Sequence, residues 1–236
     1  MESSSRNILI PAAGKSLRFG IAGYSGPKAT LDIDWMGQTK TMIRWVLDSI
    51  PAHQHVHIVV LREHLIAMEK AVHGNQHRIS FIDLDEPTRG QSDTILQGLV
   101  QSGIEGPVSV TNCDVCTAPR NWGSLWTEGH AVLLHRDRRP RTAPPIFSYV
   151  DSPALPTAFA EKMRITDWAQ SGAWQFQDAA VLRGLLEKQL SEDTDELYLS
   201  RVLGWLRPHL AGIVSDRTWD LGTPDLVTAV GGRIVA

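Results

Sequence analysis

The chain has 236 residues, 42% of them apolar, and 23 Lys and Arg against 26 Asp and Glu give a formal charge of −3. This length and apolar content support a sizeable core without disulfide staples and argue against disorder. The near-balanced charge gives no support for a sequence-independent nucleic-acid binder, and no apolar run approaches the ~20 residues of a membrane span.

The polar start, Met1 to Arg6, runs into only a very short apolar segment, so neither a signal nor a transit peptide is expected. With only two cysteines, this places the expected location in the reducing cytoplasm. Asn7–Ala13 reads as a short strand closed by Gly14. Thr41–Ile50 has apolar residues at 42, 43, 46, 47 and 50, a helical period that Pro51 ends. His55–Leu61 is β-branched and apolar, as a buried strand would be. Glu63–Val72 reads as helix, Ile79–Ile82 as strand, and Ser92–Gln101 as helix ending near Gly103. Pro107–Cys113 is a strand, Trp122–Thr127 a short helix or turn, and Ala131–His135 a strand.

Alternating strands and helices with short connections predict a parallel sheet covered on both faces. The proline-rich stretch from Pro140 to Pro145 interrupts this pattern. Ile146–Val150, Thr157–Ala160 and Ala173–Phe176 read as further strands, and Ala179–Gln189 and Glu196–Leu206 as helices. Thr223–Val230 is a last helix, with Thr223 as N-cap and Pro224 at its first position. No linker separates two independent domains. The expectation is one domain over 1–236, with a nucleotide-binding part at about 6–135 and an acceptor-binding part at about 136–236.

The loop after the first strand is the most informative segment. Ala12-Ala13-Gly14-Lys15-Ser16-Leu17-Arg18-Phe19 is followed by Gly26-Pro27-Lys28. Small residues let backbone N–H groups approach a phosphate chain, while Arg18 and Lys28 supply positive charge where an oxyanion develops. The loop lacks the Gly-Lys-Ser/Thr ending of a Walker motif and the dinucleotide G-x-G-x-x-G. Read alone, a Gly-Lys pair with nearby basic residues is more often an ordinary surface loop.

This loop resembles that of the nucleotidyltransferases that make nucleoside-diphosphate sugars, the sugar-1-phosphate pyrophosphorylases. Gly14, Arg18, Phe19, Pro27 and Lys28 match; Ser16 stands where glycine is usual and Leu17 where Ser or Thr is usual. Further elements follow in the family's order. Lys40-Thr41-Met42-Ile43 resembles the helix after the loop, and Thr88-Arg89-Gly90-Gln91 the turn that reads the base. Val110-Thr111-Asn112-Cys113-Asp114 resembles the strand ending in a metal-binding aspartate, and Glu161-Lys162 the element that meets the acceptor phosphate. Ser171-Gly172-Ala173-Trp174 resembles the strand beside the sugar, and Trp219-Asp220-Leu221-Gly222-Thr223-Pro224 the segment bringing the second metal ligand.

The resemblance implies a three-layer, Rossmann-like α/β fold with a mixed, mostly parallel sheet. It implies a Mg²⁺-dependent nucleotidyltransferase that moves NMP from an NTP to a phosphomonoester, chiefly a sugar 1-phosphate, with release of pyrophosphate. Ala12, Ala13, Gly14, Lys15, Gly90 and Asp114 would meet the nucleotide. Arg18 would face the leaving pyrophosphate, Lys28 the α-phosphate region, and Asp114 with Asp220 the metal. Lys162 would clamp the acceptor phosphate, with Glu161, Gly172 and Trp174 around the acceptor; Met163 replaces the family's proline beside that lysine. The family's role is surface polysaccharide or glycoconjugate assembly. Its partners are small molecules, with no nucleic acid and no membrane, and it allows a homo-oligomer.

Where pyrimidine-specific relatives place a glutamine shortly before the base-reading glycine, this chain has Asp85. A carboxylate only accepts, and could take the amino group of cytosine, which tilts the expectation towards CTP. CTP use would widen the acceptors to non-sugar phosphates such as phosphocholine or phosphoglutamine. The plainer reading of Asp83, Asp85 and Glu86 is a solvated acidic turn. The locally basic stretch His135 to Arg141 is either a contact for an anionic acceptor or, the plainer reading, a solvated loop.

Three rivals remain from the sequence. Cys113-Asp114-Val115-Cys116 is a C-x-x-C that invites a redox reading. A glycosyltransferase of related fold would normally carry Asp-x-Asp, whereas Asn112-Cys113-Asp114 has one acidic residue. The departures at Ser16, Leu17 and Met163 would also suit a non-catalytic nucleotide-sensing subunit.

Overall fold

The computed structural model describes residues 6–192 and 197–235. Its elements in chain order are β1 (Asn7–Pro11), α1 (Leu17–Ile21), β2 (Asp32–Trp35), β3 (Gln38–Thr41), α2 (Met42–Asp48), β4 (His55–Leu61) and α3 (Leu65–Ala71). Then come β5 (Arg78–Leu84), α4 (Gln91–Ser102), β6 (Val108–Thr111), β7 (Val115–Thr117), α5 (Pro119–Leu125), β8 (His130–Arg136), β9 (Ser148–Val150) and β10 (Phe159–Glu161). β11 (Trp168–Phe176), α6 (Ala179–Glu192), α7 (Leu199–Trp205), β12 (Leu210–Val214), β13 (Thr218–Asp220), α8 (Pro224–Ala229) and β14 (Arg233–Val235) complete the chain. Glu196, the expected start of the helix realised as α7, and the N-terminal residues 1–5 lie outside the described residues.

The main sheet runs β10-β9-β11-β6-β1-β4-β5, with β8 and β12 attached through β11. β6, β1, β4 and β5 are parallel, and β11 is antiparallel to both β6 and β8. The sheet is therefore mixed and mostly parallel, as the family resemblance implies; the antiparallel β11 departs from the parallel sheet that the alternating pattern alone predicts. Period-two alternation divides the side chains between its faces. Ile8 and Ile10 of β1 pack with Val56, Ile58 and Val60 of β4 against α2, α3 and α5. Leu9 and Val59 face the other way, against α4, α6 and α7. Two apolar layers thus enclose one sheet.

Local chemistry fixes several ends as the sequence indicates. The Thr223 hydroxyl accepts from the Leu226 N–H at 3.2 Å, capping α8 with Pro224 at its first position. Gly103 takes a left-handed conformation at the end of α4. The expected helix beginning at Glu63 is split, a 3₁₀ turn over Arg62–His64 leading into α3. The expected strand Ala173–Phe176 is the second half of the longer β11. The hairpin β2–β3 and the strands β7, β12, β13 and β14 have no counterpart among the sequence expectations. At the hairpin, Met36 and Gly37 both have positive φ, 51° and 75°, as a two-residue turn between twisted strands requires.

Helix α4 lies very close to the sheet at Gly98. A Cβ there would stand 2.6 Å from a Val59 methyl and 3.0 Å from Leu9. Gly184, on the exposed side of α6, has nothing within 4 Å of the same point. Gly98→Val is expected to destabilise the fold by about 1–3 kcal/mol through overpacking. Gly184→Ala should be neutral or stabilising by up to about 1 kcal/mol. Urea unfolding of both variants checks the pair, and equal effects would contradict the close packing.

Candidate active site

Parallel strands leave a crevice beyond their carboxyl ends, and ligands of open α/β sheets gather there. Here that crevice is a cavity of about 680 Å³. Its walls come from the loop after β1, from the turn before α4 and from the segment after β6. Ala12, Ala13, Gly14, Lys15, Arg18, Lys28, Gly90 and Asp114 all line it, so eight of the sequence candidates share one site.

The loop is held by a residue that departs from the family pattern. Ser16 adopts a left-handed conformation (φ 53°), the backbone state that explains a glycine preference at this position. Its hydroxyl accepts the Lys28 backbone N–H at 2.9 Å, tying the two halves of the loop together. What the sequence presents as a loss of freedom is thus also a cross-link.

Lys28 opens a 3₁₀ turn behind Pro27, and its ammonium makes a direct ion pair with Asp114. Burial pulls the Lys28 pKa down, but the adjacent Asp114 carboxylate more than offsets this and holds the lysine charged. Asp114 sits in the turn between β6 and β7. Antiparallel pairing of β13 with β7 sets Asp220 opposite Val115, and the Leu221 N–H donates to the Asp114 carbonyl at 2.8 Å. The two carboxylates therefore converge. A Cβ on Gly222 would lie 2.8 Å from Asp114 Oδ2 and 2.9 Å from Asp220 Oδ1, so only glycine fits between them. Burial, and then the neighbouring Asp114 charge, raise the Asp220 carboxyl to about 6.

Among the described residues no cluster of three His, Cys, Asp or Glu forms a complete metal cage. Two converging carboxylates, of which Asp114 lines the cleft, instead suit a hard cation that takes its other ligands from phosphate oxygens and water. Asp114 and Asp220 fit that donor set.

Residues that the motif comparison did not single out complete the wall. Gln91, at the start of α4, donates to the Asn112 side chain at 2.5 Å, and the Asn112 N–H donates to the Gly172 carbonyl at 2.9 Å. Asn112 thereby links the turn at Gly90 to β11. Gly172 has φ 68°, and a Cβ there would stand 2.8 Å from the Asn112 side chain. Both Gln91 and Asn112 lie inside the quoted motifs, but only the fold reveals their pairing.

Four candidates lie elsewhere. Asp85 is exposed past the end of β5 and ion-paired with Arg62, the solvated acidic turn that was the plainer reading, so it does not face the cleft. Trp174 is 4% exposed and donates to Gln170 at 2.9 Å within the apolar layer of α6 and α7. Strand alternation turns Ala173 to one face and Trp174 to the other, which makes this tryptophan core rather than pocket wall. Glu161 and Lys162 lie at the end of β10, outside the cleft wall. Glu161 accepts from the Ser200 hydroxyl at 3.0 Å, and the Lys162 ammonium hydrogen-bonds the Tyr198 hydroxyl over the tyrosine ring.

The C-x-x-C pair is structural. Cys113 and Cys116 are free and buried, and burial pushes the Cys113 thiol up to about 11 and Cys116 higher still. Thiols kept protonated are poor redox nucleophiles.

The convergence of the carboxylates has a measurable consequence. In metal-free protein Asp220 is expected to titrate near 6, above the ordinary 3.8. Asp114→Asn removes a charge that opposes ionisation, so the Asp220 midpoint should fall while burial keeps it above the ordinary value. Carboxyl ¹³C NMR reads the midpoint, and no movement in the variant would contradict the geometry.

The sequence matches the family model described as the MobA-like NTP transferase domain over residues 8–179. No curated protein matches it. Among solved structures, the fold is similar to the nucleoside-diphosphate-sugar pyrophosphorylase from Vibrio cholerae RC9, with a TM-score of 0.74 and 22% identity over 94% of this chain and 98% of that one. It is similar to the inositol-1-phosphate CTP transferase from T. maritima, with a TM-score of 0.71 and 12% identity over 96% and 93% of the two chains. The UTP-bound UGPase from Acinetobacter baumannii gives 0.71 and 15% over 96% and 92%. These likenesses establish a nucleotidyltransferase fold, and no helix among the described residues is long and apolar enough to cross a membrane. The family match runs from β1 to the first residue of α6 and takes in the whole loop, the turn at Gly90 and Asp114, so the chain belongs to the MobA-like NTP transferase domain family.

Proposed function

We propose that this chain transfers NMP from a pyrimidine NTP to a phosphomonoester, of which sugar 1-phosphates are the first class to test, and releases pyrophosphate. The observation that carries this reading is that Lys28 and Asp114, ion-paired on the wall of a cleft that Arg18 also lines, meet a second carboxylate, Asp220, which converges on Asp114. The two structural neighbours named for CTP transfer and for bound UTP show that this fold accommodates both pyrimidines in other proteins. With Asp85 outside the cleft, the argument for CTP over UTP loses its residue.

The mechanism follows from charge. The phosphomonoester is already ionised at neutral pH, so its oxygen attacks the α-phosphorus without a general base. Catalysis is then positioning and electrostatic stabilisation. The Ala12 N–H is committed to the Val59 carbonyl at 2.8 Å, so the backbone N–H groups of Ala13 and Gly14 would meet the phosphates, an approach that small side chains permit. Arg18 and Lys15 stand where charge grows on the leaving pyrophosphate. Lys28 meets the α-phosphate region, and its ion pair with Asp114 holds it in place before substrate arrives. Asp114 and Asp220 would hold Mg²⁺, which when bound neutralises phosphate charge and aligns the two reacting phosphates. Lys162, held by Tyr198 on the acceptor half, would meet the acceptor phosphate.

The test is pyrophosphate release with Mg²⁺, pairing each of CTP, UTP, dTTP, ATP and GTP with a panel of sugar 1-phosphates, phosphocholine and phosphorylated amino-acid derivatives. Release with a pyrimidine NTP and one acceptor is the expected result, and Asp114→Ala should lower it by at least about 100-fold. Near-normal turnover in that variant would sink the assigned role of Asp114. Nucleotide binding without release from any pair would favour a sensing subunit.

A further inference from the structure

A second cavity, of about 410 Å³, shares no lining residue with the nucleotide cleft. It is lined by Arg136, Arg138, Arg139, Arg141 and Arg164, with Asp137 and Asp167. Five guanidinium groups against two carboxylates concentrate positive charge in a chain whose formal charge is −3.

Its floor is a fixed framework. Asp137 is almost fully buried and accepts from Arg139 Nε at 3.0 Å, from Arg139 Nη2 at 2.8 Å and from the Tyr149 hydroxyl at 2.8 Å. The Arg164 side chain is 10% exposed. It donates to the carbonyls of Asp137 at 2.8 Å and Arg139 at 3.0 Å, and to the Asp167 carboxylate at 3.0 Å. The Asp137 N–H donates to the Asp167 carbonyl at 2.8 Å, so the two loops that make the pocket are joined through their backbones.

The mouth is different. Arg141 pairs with Asp167, but among the described residues neither Arg136 nor Arg138 makes an ion pair. Both are exposed. Arg136 ends β8, and β8 is antiparallel to β11, which is itself antiparallel to β6. β8 therefore points the same way as β6, and the arginine pocket lies beyond the carboxyl edge of the sheet, as the nucleotide cleft does, but on the acceptor half.

We propose that this pocket is an oxyanion site that takes the phosphate group of a small phosphorylated molecule, separately from the triphosphate cleft. Guanidinium forks match phosphate oxygens in pairs, and a framework already locked by Asp137 and Arg164 loses little freedom on binding. The phosphate is supplied either by the far end of the acceptor or by a separate small ligand, and the chemistry of recognition is the same. The pocket stands independently of the nucleotidyl-transfer reading.

Calorimetric titration of the full chain with inorganic pyrophosphate tests it, because this probe can enter both cavities. Two equivalents per chain are expected. The double variant Arg136→Ala/Arg138→Ala, altered only at exposed positions, should keep one site and weaken the other by at least about tenfold. Arg18→Ala should weaken the cleft site and leave the arginine pocket intact. One equivalent in the wild type, or two undiminished equivalents in the double variant, overturns the proposal. A cleft site that fails to bind while the Arg136- and Arg138-dependent site persists would count against the nucleotidyl-transfer reading alone. With the pocket established, displacement of its pyrophosphate by the acceptor from the release assay assigns the site to the acceptor, and undisturbed binding assigns it to a separate ligand.

Discussion

The site is organised around a half-buried cluster of one ammonium and two carboxylates, Lys28, Asp114 and Asp220. One lysine faces two acids, and the raised Asp220 carboxyl reflects its burial first and the neighbouring Asp114 charge second, with Lys28 and Arg18 acting in the opposite direction. The same convergence explains why Gly222 must be glycine, since a side chain would occupy the point on which both carboxylates converge.

The rest of the fold brings these three residues together from distant parts of the chain. Lys28 is placed by a loop that Ser16 ties closed, Asp114 by the end of β6, and Asp220 by the pairing of β13 with β7. Aromatic packing fixes the last of these. Trp219, beside Asp220, meets Trp35 edge-on at 5.4 Å, and Trp35 meets Trp45 at 5.0 Å. Trp35 also donates to the Val230 carbonyl at 3.0 Å, and Trp45 to the Ile33 carbonyl at 3.1 Å. The small hairpin β2–β3 is therefore the packing surface that holds the second carboxylate in register.

How much of this could be read in the sequence depended on whether the signal was local. The Thr223-Pro224 cap, the Gly103 stop and the apolar run His55–Leu61 carry their own chemistry and appear where expected. That the loop after β1, Lys28 and Asp114 share one cleft was legible because the ordered motifs lie on strand ends that a parallel sheet must bring together. The hairpin was not, because Met36-Gly37 lacks the Asn or Asp that usually marks such a turn. Strand β12 depends on pairing with β8, which no local pattern encodes. Asp85 and Trp174 failed for a related reason: sequence spacing locates a residue along the chain, but the side to which it points is set by the Arg62 partner in one case and by strand alternation in the other.

Two concentrations of charge thus lie at one edge of the sheet, an acid-rich cluster at the cleft beyond β1 and β6 and a guanidinium-rich pocket beyond β8. The first carries the account. A crystal structure with Mn²⁺ and a non-hydrolysable pyrimidine triphosphate tests it most directly, because anomalous scattering locates the ion without assumptions about its ligands. The account predicts manganese on Asp114 and Asp220, the Lys28 ammonium moved from Asp114 to a phosphate oxygen, and the triphosphate against Gly14 and Arg18. Manganese bound away from both aspartates, or a triphosphate outside the loop from Ala12 to Lys28, would contradict it.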